Sequence, residues 1–254
     1  MRSPELLAAG YSMVFLAAGL IASRRRRRSW RTAGLALAGL LAAVTAAQSP
    51  ALGGEALRAW WLLGFLPLAY WMPAPLVERA NVPLEAWLGS IDRRLGLGPV
   101  VPAVPLELSY LLVYPFVPGG LAAVLLAGGI DAGTFWLGVL IAVLPCYGLL
   151  PLLPTRPPRA LSAAGATDGP VRSLNVEFLA VFGNQWNTLP SGHAAGAVAV
   201  AMLVWTSGSP AAPVVGLLAA GICVGTVSGR YHYVVDTVLG MALGLMAWGV
   251  AVSN

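Results

Sequence analysis

The sequence predicts an all-α, polytopic membrane helix bundle, and two observations carry that prediction. The 254-residue chain is 58% hydrophobic and only 10% charged, whereas charged residues usually make up about a quarter of a globular chain. Its apolar residues also fall into eight runs separated by more polar breaks. A soluble domain of this length could not hide so much apolar surface. Lipid is the expected solvent, and in lipid a long apolar run satisfies its own backbone groups as a helix. A multi-pass protein of the cell membrane follows.

Pro4–Ser23 is the first run. It follows Arg2, lacks a small-x-small cleavage site and ends at a strong basic block, so a retained helix is expected rather than a signal peptide. That block, Arg24–Arg28 with Arg31, supplies most of the formal charge of +5, and every basic cation in the chain is Arg. Beside an apolar helix it reads as a topology signal or an anionic-lipid contact, not a nucleic-acid site. Thr32–Leu52 is the second run. Leu57–Leu76 is the third, with Trp60, Trp61, Tyr70 and Trp71 as interface anchors. Residues 1–56 are thus expected to form an N-terminal transmembrane helix pair, and 57–254 the rest of the membrane domain.

Val77–Pro105 breaks the pattern. Helical spacing puts Leu84, Trp87, Leu88, Ile91 and Leu95 on one face with charges opposite. Two readings are open: an amphipathic helix on the membrane surface, or a packed connector between spans. Leu106–Ala127 and Gly133–Leu153 are the fourth and fifth runs. Ala160–Leu189 reads as a long loop carrying Asp168, Arg172, Glu177 and Asn184. His193–Ser207, Ala212–Val227 and Tyr233–Val252 complete the set. Gly192/Gly196 and Gly240/Gly244 would let helices pack closely. Cys146 and Cys223 fall in apolar stretches and imply no disulfide.

Three polar breaks carry the chemistry. They are Pro154–Arg159, Asn187–His193 and Gly229–Asp236. The parity of the later runs brings all three to one face of the membrane. The only two histidines, His193 and His232, each fall in one of them. His232 and Asp236 share a face if they lie on one helix, so the carboxylate can orient the imidazole. Histidine is a covalent catalyst, and phosphoryl transfer requires cations around the equatorial oxygens. Arg156, Arg159 and Arg230 can provide them. Pro190 suits a first helical turn, and free N–H groups of Ser191 and Gly192 would cradle an anion. His193 is placed to move the leaving-group proton. Each feature alone has an ordinary structural explanation; the joint placement is what points to a phosphate site.

Pro190-Ser-Gly-His193 and His232-Tyr-Val-Val-Asp236 resemble the second and third signatures of the type 2 phosphatidic acid phosphatase (PAP2) superfamily, and Arg156-Pro157 resembles the end of the first. The resemblance covers roughly residues 57–254. It implies a six-helix catalytic core with added N-terminal helices, and a lipid phosphate as substrate. It also implies His232 as nucleophile, Asp236 as its orienting acid, His193 as general acid/base, and Arg156, Arg230, Ser191 and Gly192 as phosphate ligands. Two departures stand out. Leu149 replaces the Lys of the first motif, leaving Arg159 as the candidate substitute, and Gly225-Thr226 replace Ser-Arg of the third. The Gly-Arg-Tyr-His-Tyr form resembles the branch containing the fungal inositol phosphorylceramide synthases, which would make the protein a lipid head-group transferase.

No cofactor is expected. A metal hydrolase on His193, His232 and Asp236 is the competing enzymatic reading, and the neighbouring arginines argue against it because they would repel a cation. A transporter or catalytically inactive scaffold is the non-enzymatic reading. Sidedness is in conflict. The positive-inside rule puts the Arg24–Arg31 block, and by counting the three breaks, in the cytoplasm, whereas the resemblance implies an outward-facing site.

Overall fold

The computed structural model describes residues 2–48, 54–97, 104–161 and 169–254. Within them the fold is all-α. The first two runs form α1 (Ser3–Ser23) and α2 (Trp30–Gln48); the predicted end of the second, at Leu52, lies outside the described residues. The two helices meet at Gly19, where a Cβ would stand 2.6 Å from the Ala33 backbone nitrogen. The third run is split into α3 (Glu55–Trp60) and α4 (Leu62–Trp71). Next comes α5 (Val82–Arg94), capped by Asn81, whose Oδ1 accepts the Leu84 N–H at 3.1 Å. The fourth run is α6 (Val104–Leu111) and α7 (Val113–Ala127), bent by 62°. Pro115 accounts for the bend: it has no N–H for the Leu111 carbonyl, and its ring crowds that carbonyl.

Asp131 caps α8 (Ala132–Gly148), its Oδ1 accepting the Thr134 N–H at 2.7 Å. A short turn, α9 (Pro158–Leu161), precedes α10 (Pro170–Phe182). The chain ends with α11 (Gly192–Thr206), α12 (Ala212–Ser228) and α13 (Val234–Val252).

Two expectations are corrected. The stretch read as a loop over 160–189 contains α10. Gly169-Pro170 starts that helix as Pro at a first turn often does, and Arg172 and Asn175 turn one face inward, where both are buried. Residues 162–168, with Asp168, lie outside the described residues. The eight runs are also not eight equivalent spans. Ser3–Ser23, Arg27–Gln48 and Val234–Val252 are long and apolar enough to cross a membrane, and the bent α6–α7 pair makes a fourth if it counts as one span. Helices α8, α11 and α12 have 17, 15 and 17 residues. At ~1.5 Å per residue they reach roughly 22–26 Å, short of a ~30 Å hydrocarbon core.

Two of the shorter helices, α8 and α11, form the inside of the bundle. α11 packs against both α13 and α8, and glycines line both contacts. A Cβ at Gly240 would stand 2.5 Å from the Ser191 carbonyl oxygen, and one at Gly244 2.5 Å from that of Ala195. On the other side Gly192 faces Tyr147 and Gly196 faces Val143.

The two ends of the bundle are chemically distinct. At the far end Glu5 accepts from Arg58 Nε and Nη2 at 3.0 and 2.7 Å, and the Trp136 indole donates to the Ala59 carbonyl at 2.6 Å. At the other end Arg28 donates to the Val77 carbonyl, Arg26 pairs with Glu78, and the Asn81 N–H donates to the Pro154 carbonyl at 2.7 Å. The Arg24–Arg31 block therefore shares an end with all three polar breaks.

The close α11–α13 approach yields a stability prediction. Gly244→Leu puts a side chain where a carbonyl already stands, so it should destabilise the protein by about 1–3 kcal/mol. Thermal unfolding in detergent measures that, and an unchanged midpoint would remove the contact from the account.

Candidate active site

Backbone hydrogen bonds tie the three polar breaks together in pairs. The Asn187 N–H donates to the Thr155 carbonyl at 2.7 Å, joining the second break to the first. The Ser191 N–H donates to the Asp236 carbonyl at 2.9 Å, joining it to the third. The Arg159 N–H donates to the Arg230 carbonyl at 3.0 Å, closing the ring. Within the third break Arg230 has φ 59°, and the N–H groups of Tyr231 and His232 both donate to the Thr226 carbonyl. That tight turn aims His232 inward.

His193 and His232 meet there. His193 Nδ1 lies 3.3 Å from His232 Nε2, and His232 Nδ1 lies 3.6 Å from Asp236 Oδ2. The carboxylate favours a proton on the nitrogen that faces it. His232 Nε2 then keeps its lone pair, and His193 Nδ1–H is the donor in the histidine–histidine contact. His232 lies ahead of α13, not on it, so the two residues do not share a helix face as expected. Asp236 stands in the first turn and is fully buried, with Oδ2 accepting from Asn187 Nδ2 at 2.5 Å and from the Tyr233 N–H at 3.1 Å.

A cavity of about 540 Å³ opens from this pair. Arg159, Gly192, His193, Tyr231 and His232 line its polar end. Its apolar part runs between α4, α7, α8 and α11, with Phe178 and Phe182 of α10 above it. The Trp71 indole donates to the Phe182 carbonyl at 2.9 Å, and the Asn184 N–H donates to the Tyr70 hydroxyl at 3.0 Å. The expected interface anchors Tyr70 and Trp71 thus hold the end of α10.

The other predicted phosphate ligands are placed differently. Arg156 and Arg230 do not line the cavity. Arg156 makes a two-pronged pair with Glu85, Nε to Oε1 at 3.1 Å and Nη2 to Oε2 at 2.8 Å. Arg230 Nη1 lies 3.2 Å from Asp92 Oδ2 and 2.9 Å from the Leu97 carbonyl. Both carboxylates belong to α5. Leu88 between them is buried against Leu189 and Tyr233, while Trp87 and Leu95 are exposed. Helix α5 therefore packs on the site side through Leu88 and its two inward carboxylates, which the arginines compensate, and leaves Val82, Trp87 and Leu95 exposed on its outer side.

The expected cradle is also corrected. The Ser191 N–H is used by Asp236, and the Gly192 N–H donates to Thr188 Oγ1 at 3.2 Å. The buried Ser191 hydroxyl caps α11, accepting from the Ala194 N–H at 3.3 Å. Pro190 lies before this cap and not in the first turn.

Sequence reasoning assigned no role to two residues around the site, Glu107 and Asn187. Glu107 is buried and accepts from Arg172, Asn175 and Tyr231. An acid at the start of an apolar run is the signal that could have marked it. Asn187 gave no such signal.

An all-α chain with several candidate transmembrane helices is an integral membrane protein. Residues 133–253 match the PAP2 superfamily, so the chain carries a PAP2 superfamily domain there, which implies a phosphatase-type activity. The match does not single out a branch. No curated protein and no solved structure matches the chain.

The α5 staple carries a pH dependence. Burial pushes the Glu85 carboxyl up, but the hydrogen bonds and charge of Arg156 outweigh burial and hold it below its ordinary value. A lowered folded value means the pair stabilises the fold at neutral pH and loses that contribution as pH falls through the carboxylate range. Glu85→Gln should lower the melting temperature at pH 7 and narrow the gap from wild type in acid. A gap independent of pH would refute the linkage.

Proposed function

We propose that this protein is an integral-membrane phosphatase or phosphotransferase that cleaves a lipid phosphate ester or pyrophosphate through a phosphohistidine on His232. One observation carries the reading: two facing imidazoles, one backed by a buried carboxylate, share a cavity with Arg159, and that cavity continues between apolar helices. The polar end suits a phosphate and the remainder suits an aliphatic chain.

The geometry supports the following roles. His232 Nε2 attacks phosphorus as the bond to the leaving oxygen breaks, and the Asp236 carboxylate stabilises the imidazolium that forms. His193, entering the step as the imidazolium, gives its extra proton to the departing oxygen and is left neutral. Substrate must first part the two imidazoles. Water, or a second alcohol, then attacks the phosphohistidine and yields its proton to His193 as the N–P bond breaks. Arg159 is the cation already in the cavity and takes the place of the missing first-motif lysine. Arg156 and Arg230 can bind phosphate only by leaving Glu85 and Asp92. Ser191 and Gly192 shape the turn that presents His193.

Purified protein assayed for phosphate release from short-chain lipid phosphates tests this. His232→Ala should reduce turnover to background, and His193→Ala should reduce it by about 10²–10⁴-fold, the usual worth of general acid–base catalysis. Unchanged turnover in His232→Ala would end the nucleophile assignment.

We also infer that the site faces the cytoplasm. Of the 15 arginines, only Arg2 and Arg58 lie at the far end, and basic residues at membrane boundaries concentrate on the cytoplasmic side. The cytoplasmic leaflet would then supply the substrate. In a background without Cys146 and Cys223, an impermeant thiol reagent applied to intact cells should label Ser253→Cys and spare Glu177→Cys. The reverse pattern would turn the site outward.

A further inference from the structure

We propose that Glu107 is a positioning residue for the phosphate site, acting through Tyr231 on the cavity's polar end and through Arg172 and Asn175 on α10. The proposal rests on the phosphoryl-transfer reading above. Glu107 precedes the segment that matches the PAP2 superfamily, so that match assigns it nothing.

The carboxylate is buried, with 3% of its surface exposed. A charge so placed is tolerable only when donors surround it. Arg172 Nη1 donates to Oε1 at 2.7 Å, while Asn175 Nδ2 and the Tyr231 hydroxyl each donate to Oε2 at 2.6 Å. Asn175 Nδ2 also reaches the Glu107 carbonyl at 2.9 Å. One side chain on α6 therefore fixes both α10 and the residue that precedes His232.

Tyr231 passes this constraint to the reacting groups. Its ring stacks on Tyr110 with centroids 3.8 Å apart and planes 9° from parallel, and Tyr110 stacks on His193 at 5.2 Å. The Arg159 guanidinium carbon stands over the Tyr231 ring, 5.0 Å from its centroid. The phenol ring thus supports the cavity's cation directly and the acid/base imidazole through one intervening ring. Holding its hydroxyl fixes the ring's tilt, and the tilt sets where Arg159 meets a phosphate. On the other branch, Arg172 and Asn175 anchor the helix whose Phe178 and Phe182 cover the apolar part of the cavity.

The experiment uses full-length protein in detergent carrying Tyr231→Phe, Glu107→Gln, or both. Tyr231→Phe keeps the ring and its stack and loses only the bond to Glu107. Orthovanadate affinity is measured by calorimetry, and KM and kcat are measured with a short-chain lipid phosphate. Each single variant should weaken vanadate binding and raise KM about tenfold with kcat within about threefold, and the double variant should lose no more than the worse single, since contacts in one network do not add. A loss confined to kcat, vanadate affinity equal to wild type in both singles, or losses that multiply in the double variant would overturn the proposal. Should Glu107→Gln not fold, Tyr231→Phe alone decides. His232→Ala is run in parallel. If it is inactive while Tyr231→Phe binds and turns over like wild type, only the Glu107 proposal falls. If it turns over normally, the phosphohistidine reading falls as well.

Discussion

The structure depends on the buried aspartate at the start of the last helix. The Asp236 side chain accepts from Asn187 and from the Tyr233 N–H, and it faces His232. Its own carbonyl accepts the N–H of Ser191, the residue that caps α11. The starts of α11 and α13 are thereby pinned to each other, and each carries or adjoins one of the two histidines. Without a carboxylate there, the second and third polar breaks would lose their shared anchor.

Glycine makes that arrangement possible deeper in the bundle. Gly240 and Gly244 let α13 lie against the carbonyls of Ser191 and Ala195. The small-residue pairs therefore set the spacing of the imidazoles as well as the packing of the helices. Helices of 15 and 17 residues suffice for α11 and α8 because their neighbours cover much of them, and their length need not match a bilayer.

Much of this was legible in the sequence, for identifiable reasons. Hydropathy shows the runs because lipid leaves helix as the one way to satisfy a spanning backbone. The two histidines stood out because they were the only two and each lay in a polar break. Pairing was not legible. Nothing in the spacing of Glu85 and Asp92 says that each meets an arginine more than seventy residues away, so Arg156 and Arg230 read as free cations. The N–H groups before His193 read as an anion cradle because a helix start usually leaves them open; here Thr188 and Asp236 use them. Helix α10 was hidden by its polar neighbours, although Pro170 and the spacing of Arg172 and Asn175 mark one inward face.

The pairs that cross from α5 and α6 to the PAP2-matched segment have a consequence for how the molecule can be divided. Arg156, Arg230, Arg172 and Tyr231 all lie in that segment, and each finds its carboxylate in residues 82–111. The signature-bearing half cannot be excised as a self-sufficient unit, because cutting it away would strand three guanidiniums and a phenol without counter-groups. Nor can a foreign front half be grafted onto it unless the graft brings acids at matching heights.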